Sequence, residues 1–188
     1  MGLRNAEHAI REALTQTTPR LVVTSGFAGG LNPTFSRETI VFDCPPDLPL
    51  FALLINAGAL PATFVSINRV LAFAADKTKL RDQTRADVVD MESARIREIC
   101  ANAGIPSATV RVISDTAQED LPLDFNALMT GQARLSGLRL AAALLRSPDR
   151  LLRLMRFGLR TKSAAIRLAN TLHQVLPDPG SPLDTSPS

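Results

Sequence analysis

The segment from Val88 to Asp120 constrains the fold of this chain more than any other. It reads Val-Val-Asp-Met-Glu-Ser-Ala, then a helical stretch, then Val-Arg-Val-Ile-Ser-Asp. Beyond Glu92, the residues Ile96, Ile99, Cys100 and Ala103 recur at i, i+3, i+4, i+7, the period of a helix with one apolar face. Gly104 can adopt the left-handed conformation that stops a helix, and Pro106 prevents continuation. Ser107 to Ile113 is rich in Val and Ile and reads as a strand. Glu92 and Asp115 therefore fall at the two ends of one helix–strand unit. An acid at the carboxyl end of a strand in an open α/β sheet lies where such folds receive ligands. An acid at a helix start is favoured by the macrodipole. Taken alone, each is more often a simple cap, since structural charges also gather at element ends.

The rest of the chain alternates in the same way. Residues 3 to 16 read as a helix with Ala6, Ala9, Ile10, Ala13 and Leu14 on its apolar stripe. Leu21-Val22-Val23 is a short strand, and Ser25-Gly26-Phe27-Ala28-Gly29-Gly30 after it reads as a glycine-rich loop that lets a ligand approach the backbone. It is not G-x-G-x-x-G and no P-loop Lys follows, so neither a dinucleotide nor a nucleoside triphosphate is indicated. Further strands are expected over 38–42, 63–67 (extending through Val70-Leu71) and 86–89, with helices over 50–59 and 77–83, the latter a mixed-charge solvated face. Residues 136–145, 148–159 and 163–176 read as two or three helices. The expected class is α/β, a three-layer α/β/α arrangement around a central mixed, largely parallel sheet. One domain spans 1–176, with a basic helical part over 134–176, and a Pro/Ser/Asp-rich disordered tail occupies 177–188.

Composition excludes several functions. There is no Trp or Tyr and only eight Phe, which leaves little for a base-stacking nucleic-acid surface. Cys44 and Cys100 lie in unrelated contexts without metal-ligand spacing, so no metal is expected and a reduced, cytoplasmic chain is the simple inference. No apolar run reaches the roughly 18–20 residues that span a bilayer, and no signal peptide is recognisable. The net charge of +3 is unevenly spread: residues 134–167 hold eight Arg and one Lys against the single acid Asp149. Arg146, Arg150, Arg153, Arg156 and Arg160 stand among Leu151, Leu152, Leu154, Met155 and Phe157. Such a helix can rest on an anionic membrane, although leucines packed on the core with solvated arginines is the commoner arrangement. No specific nucleic-acid binding is expected.

Ser-Gly-Phe-Ala-Gly-Gly-Leu at 25–31, Val-Asp-Met-Glu-Ser at 89–93 and Arg-Val-Ile-Ser-Asp at 111–115, in that order and at those separations, resemble the purine nucleoside phosphorylase and methylthioadenosine/S-adenosylhomocysteine nucleosidase superfamily. The resemblance covers about residues 2 to 125. Within the superfamily it is most similar to the branch associated with hopanoid biosynthesis, on the strength of the basic, Leu-rich C-terminal part. The resemblance implies cleavage of the N-glycosidic bond of a purine, adenine-type nucleoside, by phosphorolysis or hydrolysis. It extends to a lipid-linked nucleoside such as adenosylhopane. It implies that Asp115 is the catalytic acid at N7 of the base and that Glu92 accepts hydrogen bonds from the ribose hydroxyls. It also implies that Met91 packs on the sugar, that Ser114 orients Asp115, and that Ala28 and Gly29 present backbone to the ligand. Phe73 is the aromatic residue nearest the family's base-stacking segment, here Val70 to Phe73. No cofactor is implied beyond phosphate as a candidate co-substrate.

The chain departs from the family in several ways, among them a short segment from Asp43 to Asn68, which forms part of the pocket rim in the family. The family's first strands, with their glycine-rich loop and nucleophile-handling residue, have no counterpart before Met1-Gly2, so the sheet is expected to lack its first strands. Phe27 stands where nucleosidases often carry a small hydroxyl residue. The alternative reading is a catalytically impaired nucleoside-binding or scaffold remnant. A homo-oligomer and peripheral membrane contact through 134–167 complete the expectations.

Overall fold

The computed structural model describes residues 3–123 and 149–176. Its elements in chain order are α1 (Leu3–Gln16), β1 (Val22–Gly30), β2 (Ile40–Asp43), α2 (Pro49–Asn56), β3 (Leu60–Pro61), β4 (Phe64–Ser66), α3 (Ala74–Thr84), β5 (Val88–Asp90), α4 (Ser93–Asn102), β6 (Ser107–Asp115) and α5 (Asp149–Val175). The six strands form one mixed sheet in the order β3-β2-β6-β1-β5-β4. β1/β6, β2/β3 and β4/β5 pair in parallel, whereas β1/β5 and β2/β6 pair antiparallel. The expected mixed, largely parallel α/β sheet is thus what the chain builds.

Period-2 alternation explains which residues meet. On one face, Ile40 and Phe42 of β2 and Ala108, Val110 and Val112 of β6 bury against Leu50 and Leu54 of α2 and Ala164, Leu168 and Val175 of α5. The opposite parity gathers Ala28, Val41, Val88 and Ile113 into a second cluster. At the β5 end, Leu31, Leu71, Ala86 and Val89 pack with Leu80 of α3. α1 lies against α4, where Arg95 donates to Glu7 at 2.7 Å.

Four local expectations are corrected. The stretch 25–30 is not a loop: β1 runs unbroken through it, because residues 22–28 pair in register with 107–113 of β6. Val70-Leu71 does not extend β4, which ends at Ser66, and Leu71 instead plugs the third cluster. α3 begins at Ala74, and its Lys77 is fully buried rather than solvated. Residues 149–175 form one continuous helix, where the sequence leaves open a break between 159 and 163. Its Gly158 costs only about 1 kcal/mol relative to Ala and does not break it. Expectations for 134–148 and for the tail 177–188 lie outside the described residues. Cys44 and Cys100 are free and buried, and burial, helped by Asp43 and Asp47, pushes the Cys44 thiol up to about 11.

Candidate active site

The site is assembled where β1, β5 and β6 lie side by side. Its first organiser is Asp90, the last residue of β5. Asp90 accepts hydrogen bonds from Ser66 Oγ at 2.5 Å, from Ser93 Oγ at 2.9 Å and from the Ser93 amide at 3.2 Å. It therefore caps α4 in place of Glu92, which occupies the N-cap position without a side-chain cap bond. Arg111 completes the anchor. Its guanidinium donates to Asp90 Oδ2 at 3.0 Å, with both side chains almost wholly buried at 5% and 1% exposure. With Asp90 and Ser93 turned inward, Met91 and Glu92 are left to face a cavity. The Glu92 carboxylate makes no hydrogen bond or ion pair among the described residues. Burial, followed by the nearby charge of Asp90, raises its carboxyl above the ordinary range against the pull of Arg111.

The second organiser is a register shift. Ala28 pairs with Ile113, but Gly29 pairs with Asp115, so Ser114 is an extra residue in β6. Strict alternation would put Asp115 on the face of Arg111 and Ile113. The bulge turns it to the other face, as bulges beside functional sites often do. A Cβ at Gly29 would lie 3.2 Å from Val89 Cγ1 and 3.4 Å from Asp115 Oδ2, so the glycine makes room for the carboxylate. Ser114 Oγ donates to Asp115 Oδ1 at 2.6 Å and contacts the Ala28 carbonyl at 3.3 Å.

A third group was not legible beforehand. Lys77 Nζ pairs with Asp115 Oδ2 at 2.5 Å, at 0% and 10% side-chain exposure. The loop after β6 folds back to hold α3 in place. Asp120 Oδ1 accepts from the Ala74 amide at 2.8 Å and so caps the helix, while Glu119 accepts from the Thr116 amide at 3.0 Å and from Arg37.

These elements enclose a cavity of about 240 Å³ whose wall includes Ala28, Gly29, Met91, Glu92, Ser114 and Asp115. The two acids thus meet at one hollow, together with the four other residues the motifs supplied. Phe73 is the exception. It stands at the N-cap of α3, half exposed, and is not on the wall. It is displaced because the chain between β4 and α3 presents Arg69, Val70 and Leu71 inward instead. The aromatic residues that do line the cavity are Phe27 and Phe157. Sequence reasoning missed Lys77, Asp90, Arg111 and these two aromatics as site residues. Asp90 and Arg111 lay inside the motifs and carried a signal, whereas Lys77 carried none. Among the described residues no group of His, Cys, Asp and Glu is arranged to hold a metal, and no helix is long and apolar enough to cross a membrane.

Comparison with known proteins gives a consistent result. The model of the Phosphorylase superfamily matches residues 60–146. The native futalosine hydrolase of Helicobacter pylori superposes with a TM-score of 0.65 at 18% identity, covering 93% of this chain and 75% of that one. An S-adenosylhomocysteine nucleosidase from Streptococcus pyogenes, in complex with 5-methylthiotubericidin, gives 0.66 at 14% identity, covering 93% and 74%. The 5'-methylthioadenosine/S-adenosyl homocysteine nucleosidase of Campylobacter jejuni gives 0.57 at 18% identity, covering 67% and 69%. The resemblance drawn from the three motifs is borne out by both kinds of match.

Proposed function

From the premise that this chain carries the phosphorylase-superfamily fold, we propose that it cleaves the N-glycosidic bond of a purine nucleoside. The observation that carries the reading is the convergence of Asp115 and Glu92 on one cavity. Cleavage develops positive charge on the sugar and negative charge on the departing base. An acid that protonates or hydrogen-bonds N7 lets the base leave neutral, and this is the role assigned to Asp115. An ionised carboxylate is acceptor-only and suits a ribose diol, which is the role assigned to Glu92. Met91 packs on the sugar, Ser114 fixes one oxygen of Asp115, and Ala28 and Gly29 offer close backbone. The family names that support this reading are those of nucleosidases and a futalosine hydrolase, whose reactions share this bond.

A finer reading concerns the rest of the substrate. Phe27, 42% exposed, and Phe157 stand on the cavity wall. They favour a nucleoside with an apolar 5'-substituent, from a methylthio group to a lipid such as in adenosylhopane, over a bare hydroxyl. The test is release of free purine from methylthioadenosine, S-adenosylhomocysteine, adenosine and inosine, each with and without phosphate. Turnover dependent on phosphate assigns phosphorolysis, turnover without it assigns hydrolysis, and no release from any of them refutes the proposal. Asp115→Asn should lower kcat by roughly 10²–10⁴-fold, and near-normal rates in that variant would show that the acid is misassigned.

A further inference from the structure

Lys77 is the most unusual cation of the described chain. It exposes none of its side chain, yet a lysine buried without a counter-charge is strongly disfavoured. Its three N–H donors are all used: one to Thr116 O at 2.7 Å, one to Glu119 O at 2.8 Å and one to Asp115 Oδ2. Two of these partners are neutral carbonyls. Asp115 is therefore the one carboxylate that the ammonium touches. Lys77 stands in the cavity wall, but with every donor engaged and none of its side chain exposed it has nothing left to offer a ligand directly. Three other acids nearby have partners of their own, and Glu92, also on the cavity wall, makes no ion pair with Lys77. Asp90 is bound by Arg111, Glu119 by Arg37 and Asp120 by the start of α3.

We propose that Lys77 is a positioning residue for the reaction, acting on the nucleoside only through Asp115. It holds Oδ2 while Ser114 holds Oδ1, so the carboxyl plane is fixed from both sides before a base arrives. The ammonium, carried by α3, is anchored to backbone carbonyls of the loop that follows Asp115, so α3 and that loop together hold the cation against the acid. The inference rests on the reaction proposed above, but it makes a separate claim about a pair of residues. Pre-orientation of this kind acts on the chemical step, since a small misplacement of a reacting group is costly in rate.

A double-mutant cycle tests it on the full chain, with Lys77→Met, Asp115→Asn and the combined variant. Lys77→Met should lower kcat by roughly 10–100-fold, with KM changed by less than about threefold. In the Asp115→Asn background the same replacement should change kcat by less than about twofold, because the residue it acts through is already disabled. A merely structural role gives equal losses in both backgrounds, and that result overturns the proposal. Thermal unfolding of the same variants needs no substrate. Asp115→Asn leaves a buried ammonium without its partner and should lower Tm by roughly 10 °C. Adding Lys77→Met should restore at least half of that loss, and additive losses would overturn the pairing. A wild-type chain without turnover refutes the reaction, and the thermal cycle then still decides the pair.

Discussion

At the scale of single residues, the two carboxylates of the site are stabilised in opposite ways. Asp115 is held by a buried cation and a hydroxyl, whereas Glu92 is half-buried and unpartnered. A carboxyl raised above its unfolded value favours the folded state below the usual Glu range near 4.5 and loses that contribution as pH rises through the raised value. Glu92→Gln should therefore leave Tm unchanged at pH 4 and raise it at pH 7, as read by thermal denaturation, and on the role proposed for it should raise KM for the nucleoside. A fall in Tm at pH 7 would contradict the assignment. The gain is the usual mark of a binding group kept at the expense of stability. Arg111→Ala should do the reverse. It strips Asp90 of its buried partner, and a loss of about 3–5 kcal/mol is expected from denaturant unfolding. The acids were legible because three motifs stand in order at the separations of a known family, whereas by local pattern alone each reads as a simple cap. Lys77 was not legible because the carbonyls that bury it lie 39 and 42 residues further along, and helix periodicity alone gives it a solvated position.

At the scale of elements, most helices and strands were visible as periodicities of 3.6 and 2, and the corrections arise where tertiary pairing overrode local signal. The glycines of 25–30 suggested a turn. Pairing with β6 kept them extended, and their smallness serves the neighbouring strand instead. Gly29→Ala would press on Val89 and on the Asp115 carboxylate, and a roughly tenfold fall in kcat is expected, with Tm lowered only slightly. The bulge at Ser114 could not be foreseen either. It is a property of two strands taken together, and nothing in Val-Ile-Ser-Asp records that the register slips there. Its effect on the site is larger than that of any side chain, because it decides which face the acid occupies. α3 was recognised but begun three residues late, since its cap is Asp120, supplied from the far side of β6 rather than by the residue before it.

At the scale of the whole molecule, the sheet is closed on one face by α2 and α5. Leu168 of α5 is buried among β2 and β6 residues, so Leu168→Ala should cost about 2–5 kcal/mol in denaturant unfolding. A negligible loss would mean that the last helix is a loose appendage. The same packing draws Ala164, Leu168 and Val175 inward and leaves Met155, Leu159 and Ile166 exposed. If the basic part does bind anionic vesicles, the association should run through those three residues and weaken with salt. The sheet order has one more consequence. β1 and β6, neighbours at the centre, come from opposite ends of the described strand sequence, and the Ser114–Ala28 contact joins residues 86 positions apart. During synthesis, the backbone that will flank the acid leaves the ribosome long before the acid itself exists. No nascent fragment that stops short of residue 115 can assemble this hollow, so its wall comes into being only when the middle of the sheet has been zipped shut.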